Sequence, residues 1–98
     1  MVEKIVWSPI AISEYARMIE FLMMIWNVEI IVEFENLVSQ NISMIHKNPT
    51  SFPIISDNVR KIVLHKNVSL YYEFNEKENT IEILSIFDNR QNPDKLKL

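Results

Sequence analysis

The chain has 98 residues, a formal net charge of -3, 48% apolar and 23% charged residues, so one folded core is expected and a disordered polyelectrolyte is not. It contains no cysteine, which excludes disulfides, thiolate metal sites and cysteine nucleophiles and suits a reducing cytoplasm. It contains no glycine either, which excludes the Walker loop, the dinucleotide fingerprint and the GXXG clamp, since each needs backbone without a Cβ beside its ligand.

The amino-terminal Met1 to Trp7 lacks the basic start, apolar stretch and cleavage site of an export signal. Lys4 to Trp7 is a short β-rich run, and Ser8-Pro9 then starts a helix, serine as N-cap and proline at the first helical position. The spacing of Ile12, Tyr15, Ile19, Leu22 and Trp26 predicts a helix over about 8 to 26, with Ser13, Glu14, Arg17 and Glu20 mainly on the other side. The longest unbroken apolar run, Phe21 to Trp26, is far short of the roughly 20 residues that cross a bilayer as a helix; no membrane partner is expected. Asn27 caps a second helix with the stripe Ile31, Phe34, Val38, Ile42 and Ile45, stopped by Asn48-Pro49. A tight αα-hairpin follows.

Residues Asn48 to Asn58 read as a connection anchored by Phe52-Pro53-Ile54-Ile55. Three β-rich segments come next, Val59 to His65, Val68 to Phe74 and Thr80 to Phe87, and the short turns between them imply antiparallel neighbours. In the middle one Val68, Leu70, Tyr72 and Phe74 share a buried face, and Ser69, Tyr71 and Glu73 a partly wet one. The last is apolar on both faces, Ile81, Ile83 and Phe87 against Leu84 and Ile86, as in a central strand. The tail from Asp88 is irregular, and with no glycine the ten asparagines are the natural occupants of left-handed turn positions. A single α+β domain over 1–98 is expected, its tail running from 88 to 98.

Charge divides unevenly. Up to His46 there are six acidic and two basic residues, whereas from Lys47 onward eight basic face seven acidic. Between Asp57 and Glu73 every ionised side chain is basic: Arg60, Lys61 and Lys66, with His65 joining at lower pH. Such a patch is either a binding face for anionic groups or a solvated hairpin. His65, Tyr71 and Tyr72 are the general acid–base candidates, although Tyr72 also reads as core and His65 as a surface residue at a strand end. His46 complements its helix dipole. Two histidines at 46 and 65 have no metal-ligand spacing, so neither metal nor cofactor is expected. The cluster Asp88-Asn89-Arg90-Gln91-Asn92-Pro93 follows the last strand. Its arginine can grip a phosphate or carboxylate with Asp88 aiming it, or pair internally with Asp88 or Asp94 in a strand-ending turn. Met18, Met23, Met24 and Ile25 exceed what one helix face can bury; they form either a docking strip or second-layer core.

Several stretches together, Trp7-Ser8-Pro9, Asn48-Pro49 with Phe52-Pro53, Val59-Arg60-Lys61, Ser69-Leu70-Tyr71-Tyr72 and Phe87 through Pro93, make the chain resemble the RelE/ParE superfamily of small bacterial toxins from type II toxin–antitoxin pairs. The resemblance spans about residues 4 to 93. It implies a β-α-α-β-β-β microdomain, a helical hairpin packed on a mainly antiparallel curved sheet. It also implies a cytoplasmic growth inhibitor, of the kind that stabilises plasmids, bound in a hetero-oligomer by a cognate antitoxin. ParE-like members poison DNA gyrase; RelE-like members cleave messenger RNA on the ribosome. The leading expectation is ParE-like, with Arg60, Lys61, Arg90, Asp88 and Asn89 contacting the target and Met18, Met23, Met24 and Ile25 contacting the antitoxin. The alternatives are a RelE-like endoribonuclease using Arg60, His65, Tyr71 and Arg90, and a degenerate binding module.

Overall fold

Ser8 joins strand β1 (Lys4–Trp7) to helix α1 (Pro9–Ile25) in a computed structural model that describes residues 2–25 and 27–98. Its backbone N–H donates to the Ile83 carbonyl at 2.9 Å. Its Oγ accepts from the Ala11 N–H at 3.0 Å and donates to the Leu84 carbonyl at 2.9 Å. One side chain thus caps the helix and ties its start to strand β5 (Thr80–Asp88). Asn27 caps α2 (Val28–Lys47) in the expected way, its side chain accepting from the Ile30 N–H. The expected end of the first helix at Trp26 lies outside the described residues.

Strands β2 (Ile54–Ser56), β3 (Val59–His65), β4 (Val68–Asn75) and β5 complete a five-stranded sheet in the order β1-β5-β4-β3-β2. Neighbours from β2 to β5 are antiparallel, and β1 pairs with β5 in parallel. Within the segment expected to be only a connection, Ile54–Ser56 form an exposed edge strand. The turn after β2 places Asp57 at φ 48, and that before β5 places Asn79 at φ 51. These short polar side chains tolerate the left-handed region that glycine would otherwise fill.

Both helices cover one face of the sheet. The core there joins Ala11, Val38 and Ile45 to Ile62, Leu70, Tyr72, Ile81, Ile83 and Ile86, and a fully buried isoleucine contributes about 1.5–3 kcal/mol. Helix α2 turns inward close to the stripe its spacing predicts, with Phe34, Leu37 and Ile42 packed against the core. Helix α1 is rotated from the expected stripe. Ala11, Tyr15 and Met18 face the core, while Ile12 is 56% exposed. Glu14, expected on the solvent side, instead points at β5, where its Oε1 accepts from Ser85 Oγ at 2.7 Å and from the Ile86 N–H at 3.2 Å.

Two register shifts decide which side chains face where. Tyr71 pairs with Ser85 and Tyr72 with Ile83, so Leu84 is an extra residue in β5. Beyond it the alternation reverses: Ile86 joins Ile81 and Ile83 under the helices, and Phe87 joins Leu84 on the outer face. This corrects the assignment of Phe87 to the face of Ile81 and Ile83. A second shift sits at Leu64 between the Val63–Ser69 and His65–Val68 pairs. The outer face is also drier than alternation implied, with Ser69, Tyr71 and Phe87 all buried.

Candidate functional site

The two helices and the far end of the sheet enclose a groove of about 470 Å³. Met18, Phe21 and Ile25 line it from α1, Phe34 and Leu37 from α2, and His65, Asp88 and Arg90 form its polar rim. The bulge at Leu64 explains the histidine's place: His65 pairs with Val68, itself packed on the helix-covered core, rather than continuing the outer row of Lys61 and Val63.

At the rim, Arg90 and Asp88 form a bidentate pair, Nε to Oδ1 at 3.0 Å and Nη2 to Oδ2 at 2.7 Å. The Arg90 N–H also donates to Oδ1 at 2.9 Å. The hydrogen bonds from Arg90 hold the Asp88 carboxyl below the usual aspartate range, against the opposing effect of burial. The guanidinium is held above its ordinary value by the same bond. The structure thus has the internal pair with Asp88 in a strand-ending turn, while the Arg90 side chain stays 64% exposed. Asn89 fastens the turn behind it, its N–H donating to the Asn67 carbonyl at 2.7 Å and its Nδ2 to Ser69 Oγ at 3.0 Å.

Arg60 is placed elsewhere. It pairs with Tyr72, whereas Asp88, the partner of Arg90, pairs with Val68; these two β4 partners lie four residues apart, roughly 13 Å of strand. Its Nη1 donates to the carbonyls of Thr50 (3.0 Å) and Phe52 (2.6 Å). Tyr72, fully buried, donates its hydroxyl to the Pro49 carbonyl at 2.7 Å and meets the Phe52 ring edge to face. Burial pushes the Tyr72 phenol up, with Arg60 opposing, so the hydroxyl stays a donor. These two side chains pin the segment between α2 and β2 to the sheet. Lys61 and Tyr71 occupy the outer face, the ammonium 5.9 Å from the ring centroid.

Of the residues singled out in the sequence, the groove gathers Met18, Ile25, His65, Asp88 and Arg90 and leaves out Arg60, Lys61 and Tyr71. Met23 and Met24 are 66% and 83% exposed at the hairpin tip, outside the groove and outside the core. Phe21 and Leu37 were missed as lining residues; Phe21, in the same run of apolar residues as Met23 and Met24, carried a usable signal, being off the helix's inward stripe. The groove is an apolar trough whose polar lining holds Arg90, His65 and the carboxylates of Glu33 and Asp88. It suits a polypeptide carrying apolar anchors.

No protein-family model matches the chain, and no curated protein matches its sequence. Among solved structures, a chain from the "Chromosomal ParDE TA system from P. aeruginosa" superposes with a TM-score of 0.73 at 14% identity, covering 90% of this chain and 96% of that one. The architecture is thus the RelE/ParE-like α+β fold. No helix is long and apolar enough to cross a membrane among the described residues.

Proposed function

We propose that this chain is a ParE-like toxin of a type II toxin–antitoxin pair, inhibiting growth by binding a cellular target such as DNA gyrase and neutralised by a cognate antitoxin. The observation that carries this reading is the shared fold over 90% of the chain with a component of the ParDE system. The groove supports the antitoxin part, because a partner laying apolar side chains between Phe21 and Phe34 also reaches the Arg90 rim. Arg60, Lys61, Asp88, Asn89 and Arg90 are the proposed target contacts. Arg60 in this role also holds the chain that leads into the sheet, so its loss weakens both fold and contact. Induced expression of the chain alone is expected to arrest growth, and co-expression with the cognate antitoxin to restore it. In a supercoiling assay the purified protein is expected to inhibit gyrase; gyrase unaffected at high excess removes gyrase as the target.

The RelE-like alternative keeps one supporting observation, His65 and Arg90 on a single rim, where an imidazole and a guanidinium could move a proton and stabilise a phosphorane-like oxyanion. The separation of Arg60 from that pair and of Tyr71 onto the other face counts against it. New RNA ends in a translating extract, lost in His65→Ala, are its expected signature.

A further inference from the structure

The backbone around the groove limits what can enter it. The edges of the sheet are β1 and β2, and among the described residues neither strand lines the groove. Its sheet side comes instead from His65, Val68 and Asp88, at the ends of β3, β4 and β5, and each of these strands already has a neighbour on either side. The other walls are helix side chains. A chain entering here finds no free strand edge to pair with, so it must satisfy its own N–H and C=O groups, as an α-helix does internally.

The charges of the lining do not cancel. Asp88 and Arg90 neutralise each other in their bidentate pair, the one ion pair among the described residues. With histidine counted neutral at pH 7, the Glu33 carboxylate is left over. Three residues after Ile30 and four before Leu37, Glu33 stands on the side of α2 that faces the groove, and it is exposed. The rest of the hairpin has the same sign: Glu20, Glu29 and Glu35 are exposed too. Against them Arg17 is the one basic residue from Pro9 to Ile45, and it does not line the groove. Such a field draws in a cationic partner and repels an anionic one.

We propose that Glu33 selects the partner of this groove: the segment that docks is an amphipathic α-helix whose apolar stripe lies between Phe21 and Phe34 and whose flank presents a lysine or arginine to the Glu33 carboxylate. The inference rests on the antitoxin reading for the partner's identity; the charge preference belongs to the groove itself. Three synthetic peptides titrated calorimetrically into the full chain test it. All share one leucine stripe at helical spacing; the first has lysines on its flanks, the second glutamates, and the third is the lysine peptide with a central proline, which breaks the helix. The lysine peptide is expected to bind on the order of tenfold tighter than either of the others. In Glu33→Gln its advantage over the glutamate peptide is expected to fall to about a third or less, whereas Glu35→Gln, which removes the same charge outside the groove, leaves the advantage in place. Phe21→Ala is expected to weaken the lysine peptide on the order of tenfold.

No binding of the lysine peptide overturns the proposal. So does an advantage untouched by Glu33→Gln, or one reduced as much by Glu35→Gln, and a proline peptide that binds as well as its parent overturns the helix. Equal affinities of the lysine and glutamate peptides that still fall in Phe21→Ala overturn the charge selection but leave the groove as a docking site for the antitoxin. Affinities indifferent to Phe21→Ala overturn both.

Discussion

Glu14 shows how one side chain can serve the fold against its own preference for water. Its carboxylate accepts from the buried Ser85 hydroxyl and the Ile86 N–H, joining α1 to the strand just past the Leu84 bulge. Burial raises its pKa above the ordinary glutamate value, and the two hydrogen bonds, which lower it, do not cancel that rise. A carboxyl with a folded pKa above its unfolded one adds stability below the unfolded pKa and loses it as pH rises through the folded pKa. The stability of the wild type relative to Glu14→Gln is therefore expected to decline as pH rises from about 4 towards neutrality. Urea denaturation of both proteins across that range checks this, and a constant difference rejects it. Asp88 is the opposite case: the hydrogen bonds from Arg90 depress its pKa, so its contribution is present above the unfolded value and fades in acid.

At the scale of elements, the two bulges organise the molecule. Strict alternation through β5 would send Phe87 under the helices and leave Ile86 outside. The extra residue Leu84 reverses this after Ile83, and the Ser8 hydroxyl donates to its carbonyl. Deleting Leu84 is expected to restore alternation and displace Ile86 and Phe87 from their clusters, at about 1.5–3 kcal/mol for each side chain. Against a net stability of about 5–15 kcal/mol, that is a large loss. Near-UV circular dichroism and the urea midpoint measure it; a deletion variant with wild-type values would show that the face reversal carries little energy. The bulge at Leu64 in turn sets His65 on the rim of the groove that Arg90 also lines.

For the whole molecule, the groove is where hairpin and sheet meet, and a partner docked there touches both. Phe21 and Ile25 are each 52% exposed and four residues apart, hence on one side of α1. If the proposed antitoxin docks there, Phe21→Asp and Ile25→Asp are expected to weaken its binding by about 30-fold or more, the size of a hot-spot loss, while the melting temperature stays near that of the wild type. Calorimetric titration against the antitoxin reads the first, and unchanged affinity in both variants removes the groove from that interface.

Local chemistry settles the outline of this protein without any tertiary contact. Ser8-Pro9 and Asn27 can begin helices wherever they occur, because a capping oxygen needs only the next turn's amides, and Val59–His65 announces a strand through its β-branched and apolar residues. Even the absence of glycine foretold polar residues in the left-handed turns, as at Asn79. What the folded chain alone decided is whatever depends on partners distant in sequence. A bulge is a property of the pairing between two strands, so Leu64 and Leu84 look like any other strand residue. Arg60 reads as a free cation until the Thr50 and Phe52 carbonyls come within reach. Glu14 reads as a solvated charge until Ser85, distant in the chain, arrives beside it. Composition and periodicity report a residue's intrinsic preferences, whereas convergence on a site is set by register, and register is fixed only when the sheet closes on its helices.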